Sequence, residues 1–186
     1  MYKRQSQESV FATGLPHKNI LESIVDDVPM SAYDLSRKIV DEYASYYQYA
    51  QSATISAWDM NLLENLSNAI DDFAQLLLSD TTYHTQIENA YYETESFSGI
   101  GVIDIYDFAF NIQKNLMNES SVYHAARGVM ENVTKVVFSE WHDIHQNAHG
   151  ISIYFPPEEN YVISYENTDF ALHTHWDEFL QTFYDI

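Results

Sequence analysis

The sequence predicts a mainly helical domain with a few short strands near its two ends, and three observations predict it. Apolar residues recur at steps of three and four over long stretches, the spacing that buries one face of an α-helix. Only five Gly and four Pro punctuate 186 residues, so long elements must be joined by short connections. Hydrophobic residues make up 46% and aromatics 15%, enough to close one core at this length and too many for a disordered chain. About six helices are expected on this pattern, within one domain spanning residues 1–186.

Taken in order, residues 1–30 read as a sheet edge and the segment that follows it, and 31–186 as a helical region with one late strand. Ser31 is the expected N-cap of a helix carrying Asp34 in its first turn, with Leu35, Ile39, Tyr43 and Tyr47 on one face. Thr54 to Trp58 alternates weakly, as a short extended stretch does. Asp59 then caps the clearest helix, whose stripe is Leu62, Leu66, Ile70, Phe73 and Leu77. A further helix is expected over 82–93, a break over 98–101, and a helix opened by Asp104 that buries Ile105, Phe108, Ile112 and Leu116. From Ser121 the pattern Val122, Ala126, Val129, Val133, Val136 and Trp141 predicts one helix to about His145. Ile151 to Phe155 reads as a strand stopped by Pro156-Pro157, because proline supplies no ladder donor. Residues 170–184 read as a last helix burying Trp176, Phe179, Leu180 and Phe183. Strands need partners for their backbone groups, so the end strands at 2–8 and 151–155 are expected either to share one sheet or to belong to a larger one.

Charge narrows the partners. Eight Lys and Arg face 28 Asp and Glu, a formal net charge of -20. That field repels phosphate backbones and anionic lipid and favours cations and basic peptides, so neither nucleic acid nor a membrane is expected as a partner. It equally serves to keep a Tyr-rich surface in solution. No apolar run reaches the roughly 18 residues of a membrane span, and no apolar stretch follows the basic start as in a signal peptide, so localisation stays open. The absence of Cys rules out disulfides, thiolate metal sites and a thiol nucleophile within the chain.

No complete active site is legible. His142, His145 and His149 stand at i, i+3 and i+7, so a continuous helix would put them on one face where imidazoles and a carboxylate or water would hold zinc. The spacing matches no established zinc signature, and the alternative is a cluster covering the last helical turn, where the dipole favours positive charge. His173 and His175 would point apart on a helix. There is no Gly-x-Ser-x-Gly elbow and no phosphate-cradling glycine loop. Asp26-Asp27, Asp71-Asp72 and Glu158-Glu159 read as solvated charges.

An ordered string of segments adds a resemblance. Ser6-Gln7-Glu8 through Gly14-Leu15-Pro16, Thr54-Ile55-Ser56-Ala57, Asp104-Ile105-Tyr106-Asp107-Phe108, Ala148-His149-Gly150-Ile151-Ser152-Ile153-Tyr154-Phe155-Pro156 and Trp176-Asp177-Glu178-Phe179-Leu180 follow one another with family spacing. Together they resemble the part of clostripain-like cysteine peptidases that lies after the catalytic cysteine. The resemblance implies an α/β, caspase-like fold of which this chain is the C-terminal, mainly helical part. It implies catalytic His and Cys upstream of the first residue here, with an upstream peptidase half as partner, so no catalytic residue is assigned within the chain. It implies that Ser6, Gln7 and Glu8 belong to a substrate-binding edge, that the substrate is a peptide with a basic residue, and that calcium is the one cofactor to consider. The strand at Tyr2-Lys3-Arg4-Gln5 is more polar than the family's buried strand, and Leu15 replaces its Trp. The competing reading is a stand-alone, non-catalytic module that binds a peptide or partner by strand addition.

Overall fold

The computed structural model describes residues 2–5, 14–25, 29–49, 52–97, 101–116 and 120–186, the first of these spans as backbone. Among them, strand β1 (Tyr2–Gln5) precedes helices α1 (His17–Val25) and α2 (Ala32–Tyr47), then strand β2 (Thr54–Asp59). Helices α3 (Leu63–Ser79) and α4 (His84–Glu93) lead to the short hairpin of β3 (Ser96–Phe97) and β4 (Val102–Asp104). Helices α5 (Ile105–Asn115) and α6 (Ser121–Val136) precede β5 (Val137–His142), β6 (Ser152–Tyr154) and the last helix, α7 (Trp176–Tyr184). No described helix is long and apolar enough to cross a membrane.

The helix starts follow the caps legible in the sequence. The Ser31 side chain accepts from the Asp34 amide, and the Asp104 carboxylate from the Asp107 amide. Asp59 caps a single 3₁₀ turn from which α3 continues. The stripe Leu66, Ile70, Phe73 and Leu77 is buried against Phe108, Ile112, Val129, Val133, Trp176 and Phe179 in the main core. A smaller core joins Val40, Tyr43 and Tyr47 of α2 to Ile55 and Ala57 of β2.

Four features extend or depart from the sequence reading. The helix expected to reach His145 ends at Val136, and Val137 to His142 form a strand antiparallel to β2. The β-branched pair Val136-Val137 favours extended backbone once a partner strand lies alongside. The weakly alternating stretch at 54–58 is the central strand of a sheet ordered β1-β2-β5. Its alternation is weak because both faces are covered: Ile55 and Ala57 pack on α2, while the Ser56 hydroxyl donates to the Gly150 carbonyl at 2.7 Å. Residues 96–104 hold a hairpin around the expected break, with Gly101 at φ +62. Lastly, the end strands do not share a sheet: β1 pairs with β2, whereas β6 lies in a second sheet ordered β3-β4-β6. The region after residue 31 therefore carries five described strands rather than one late strand.

Candidate functional site

β1 runs antiparallel to β2 and ends with Gln5 opposite Ser56. The expected substrate-edge residues Ser6, Gln7 and Glu8 follow it and lie outside the described residues. What the structure describes is the sheet end beside which β1 stops, where Thr54 pairs with His142. Beyond that pair the ladder is prolonged by the Asp143 amide donating to the Ala53 carbonyl at 3.2 Å. The Ala53 amide in turn donates to Asp143 Oδ1 at 3.0 Å. Ser52, just before, sits at φ 70, a conformation that side chains other than Gly rarely adopt.

From here a polar relay crosses to the second sheet. His145 is 8% exposed; its Nε2 lies 3.1 Å from Ser52 Oγ and its Nδ1 2.9 Å from Glu95 Oε1. The tautomer with its proton on Nδ1 donates to Glu95 and leaves Nε2 to accept from the Ser52 hydroxyl. The Glu95 amide donates to Asp107 Oδ2 at 2.7 Å, and the Asp107 amide to Asp104 Oδ1 at 2.9 Å. Asp104 Oδ2 accepts from the His149 amide at 2.7 Å. The His149 ring stacks on Tyr106 with centroids 4.0 Å apart. Seven residues thus tie the segment before β2, the 143–149 loop and the start of α5 into one polar seam.

The seam is acidic, and its charges are set by neighbours. Burial opposes the His149 imidazolium, but Asp104, the Asn147 carbonyl and Asp107 outweigh it and hold the pKa above the usual imidazole value. Burial pushes the Asp107 carboxyl up, against the Glu95 amide that it accepts and with the repulsion of Asp104. Burial, then Tyr47 and Asp143, pushes the Tyr43 hydroxyl up to about 12. The Tyr43 hydroxyl and Asp143 Oδ2 are both buried and find no hydrogen-bond partner among the described residues.

These distances decide what the histidines do. Because α6 stops at Val136, His142, His145 and His149 share no helical face. His142 pairs with Glu140 at 3.0 Å, His145 with Glu95, and His149 with Asp104 at 3.4 Å. His173 and His175 are held elsewhere, by the Asp169 carbonyl and by Asp71. No group of three or more His, Asp or Glu disposed to hold a metal occurs among the described residues. Ser52, His145 and Glu95 have the order of a hydrolytic relay. However, the amide next to Ser52, that of Ala53, is already taken by Asp143 Oδ1 and is not a free donor for an oxyanion. The relay is therefore a clasp between sheets. Of its members, Asp104 was legible as a cap; Ser52 and Glu95 carry no local signal, since their partners lie 93 and 50 residues away.

Comparison with known proteins places the arrangement. The family model described as the clostripain family matches residues 2–183. An inactive zymogen C11 protease from Parabacteroides distasonis superposes with a TM-score of 0.66 at 16% identity, over 93% of this chain and 51% of that one. A clostripain from Bacteroides thetaiotaomicron, solved with a peptide inhibitor, gives 0.62 at 16% identity, over 93% and 76%. The secreted C11 cysteine protease iotapain, from the same species, gives 0.63 at 17% identity, over 94% and 48%. The chain thus spans about half the length of two of these relatives. No curated protein matches the sequence. The solved structures show a shared α/β fold, and the family model, covering nearly every residue, shows the descent. The chain belongs to the clostripain family.

Proposed function

We propose that this chain is the C-terminal structural and substrate-edge portion of a clostripain-like cysteine endopeptidase, inactive until joined to a portion carrying the catalytic Cys and His. One observation carries the reading: a cysteine-peptidase family model matches residues 2–183 of a chain with no cysteine, which covers 51% of a zymogen relative. Thiolate attack on a peptide carbonyl, with imidazole as acid and base, has no thiol to supply it among these residues. Their part in the reaction is to extend the sheet beyond β1, whose outer edge has no partner among the described residues. Glu8, three residues beyond that strand in the sequence, and the net charge of -20 favour a peptide with a basic side chain. No group of three or more His, Asp or Glu among the described residues is placed to hold a metal ion, and no step of the proposal is routed through calcium.

A peptidase assay with Arg- and Lys-ending fluorogenic peptides tests this, on the chain alone and mixed with the polypeptide encoded immediately upstream. Cleavage in the mixture only supports the proposal. Silence in both, from folded protein, sinks it and leaves the second reading. That reading, a non-catalytic module binding a peptide by strand addition, is favoured by the same unpartnered edge of β1.

A further inference from the structure

A cleft of about 980 Å³ runs along the other sheet, far in sequence from β1. Ile151 and the β6 residues Ser152, Ile153 and Tyr154 line it along the sheet, as its floor. Trp58, Met60 and Leu63 are on its wall, as are Tyr165 and Phe170. The volume falls at the upper end of what ligand sites enclose, about 300–1,000 Å³.

Among the described residues, the floor is a strand edge without a partner strand. β6 pairs with β4 on one side only, in the sheet order β3-β4-β6. The Ile105 amide donates to the Ile151 carbonyl at 3.1 Å and the Phe155 amide to the Gly101 carbonyl at 3.0 Å, in register with Ile103 opposite Ile153. In an antiparallel ladder these alternate residues bond the partner, so Ser152 and Tyr154 turn their N–H and C=O groups the other way, into the cleft. The Tyr154 carbonyl is taken by the Trp176 indole at 2.7 Å, which sets one end of the available edge. The Ser152 N–H, the Ser152 C=O and the Tyr154 N–H are left facing the cleft, between apolar walls.

We infer that this cleft receives an extended, cationic segment of a partner polypeptide, which adds a strand to β6. Charge selects the occupant. Glu64 and Asp169 line the cleft, the Asp169 side chain is fully exposed with His173 of the lining 3.6 Å from it, and no Lys or Arg lines the cleft among the described residues. A second copy of a chain carrying a net charge of -20 is repelled from such a site. Backbone bonds to Ser152 and Tyr154 supply register, apolar side chains of the segment fill the walls, and basic flanks meet the two carboxylates. The inference does not rest on the peptidase reading, because β6 and β1 lie in different sheets.

The test is fluorescence anisotropy with a labelled heptapeptide, lysine-valine-threonine-valine-threonine-valine-lysine, titrated with the full chain. Ser152→Pro removes the outward N–H without touching the bonds to β4, and is expected to weaken binding about tenfold or more. Ser67→Trp, which plugs the cleft from α3, covers the case in which the proline variant fails to fold. Methylating alternate peptide amides, or replacing both peptide lysines by glutamates, is expected to weaken binding to a similar degree. Absence of binding overturns the inference, as does binding indifferent to both variants. Dimerisation in sedimentation that Ser67→Trp abolishes also overturns it, and assigns the cleft to a second copy.

Discussion

Replacing Asp104 by Ala would remove the most heavily used side chain of the polar seam. Asp104 is 0% exposed, caps α5 through the Asp107 amide, and accepts from the His149 amide. Loss of an N-cap costs about 1 kcal/mol. A buried amide left without an acceptor costs about 1–3 kcal/mol more. Asp104→Ala should therefore destabilise by about 2–4 kcal/mol. Asp104→Asn keeps the shape and one acceptor oxygen, turns an NH₂ toward the other amide, and should lose about half of that. Urea unfolding at fixed pH, with the midpoint shift at constant m, measures both. A pH series adds a readout that packing alone would not move. The folded pKa of His149 is raised, chiefly by Asp104 against the penalty of burial. Its contribution is therefore fully present below about pH 6.5 and is lost as pH rises through the higher folded value. Asp104→Asn should flatten that neutral-side slope. Two variants as stable as the parent, with the slope intact, would refute the seam as a structural element.

Other consequences are equally direct. Gly150→Ala places a Cβ 2.8 Å from Ser56 Cβ at φ +89, so strain and overpacking should together cost about 2–5 kcal/mol, partly restored by adding Ser56→Gly in a double-mutant melt. Asp71 takes both the amide and the ring of His175; although burial raises its pKa, those bonds win and hold it below the ordinary carboxyl value. Its contribution is present above that ordinary value and lost as pH falls through the depressed one, so Asp71→Asn should reduce the acid-side slope of urea stability. Equilibrium dialysis against zinc should show no stoichiometric uptake, since each of His142, His145 and His149 has its own carboxylate; one equivalent, lost in His149→Ala, would overturn that.

Local signals in the sequence carried most of the helices. Ser31 and Asp104 announce themselves as caps because a short polar side chain before an apolar run meets an orphan amide within three residues. The stripe from Leu66 to Leu77 is legible because period 3.6 is written in one stretch of chain. The strands were harder to read. β5 follows α6 without a break, and its residues 137–141 continue a pattern that a helix would also satisfy, until β2 pairs with them. The hairpin of β3 and β4 is too short to show a period. Of the seam, the His residues stood out by type, but their partners Ser52 and Glu95 are brought in by folding alone. The segment His17–Val25, expected only as part of a sheet-edge region, forms α1 after Pro16, whose carbonyl accepts from the Ile20 amide.

Of the two arrangements expected for strands 2–8 and 151–155, one shared sheet or membership of a larger one, the first is not found among the described residues, for a reason that bears on function. The premise of that arrangement was that unpaired strands near the ends must find each other, since backbone groups need partners. Both found partners in the middle of the chain instead: β1 takes β2, and β6 takes β4. The contact between the sheets is then made by side chains. The Trp58 indole and the Ser56 hydroxyl reach the Gly150 carbonyl, and His145 reaches Glu95. A sheet shared by both ends would have used up edge positions that are now free. Two sheets clasped side by side leave β1 and β6 each with an outer edge unpartnered among the described residues. Family membership, shown by residues 2–183 together, therefore does not depend on one continuous sheet within this chain. The free edge of β1 suits completion of a larger sheet by another part of a peptidase. The edge of β6 lies in a walled cleft and suits a short segment. Ser152→Pro should therefore spare any peptidase activity recovered by mixing while it weakens peptide capture, and loss of both together would mean that the two edges act as one site.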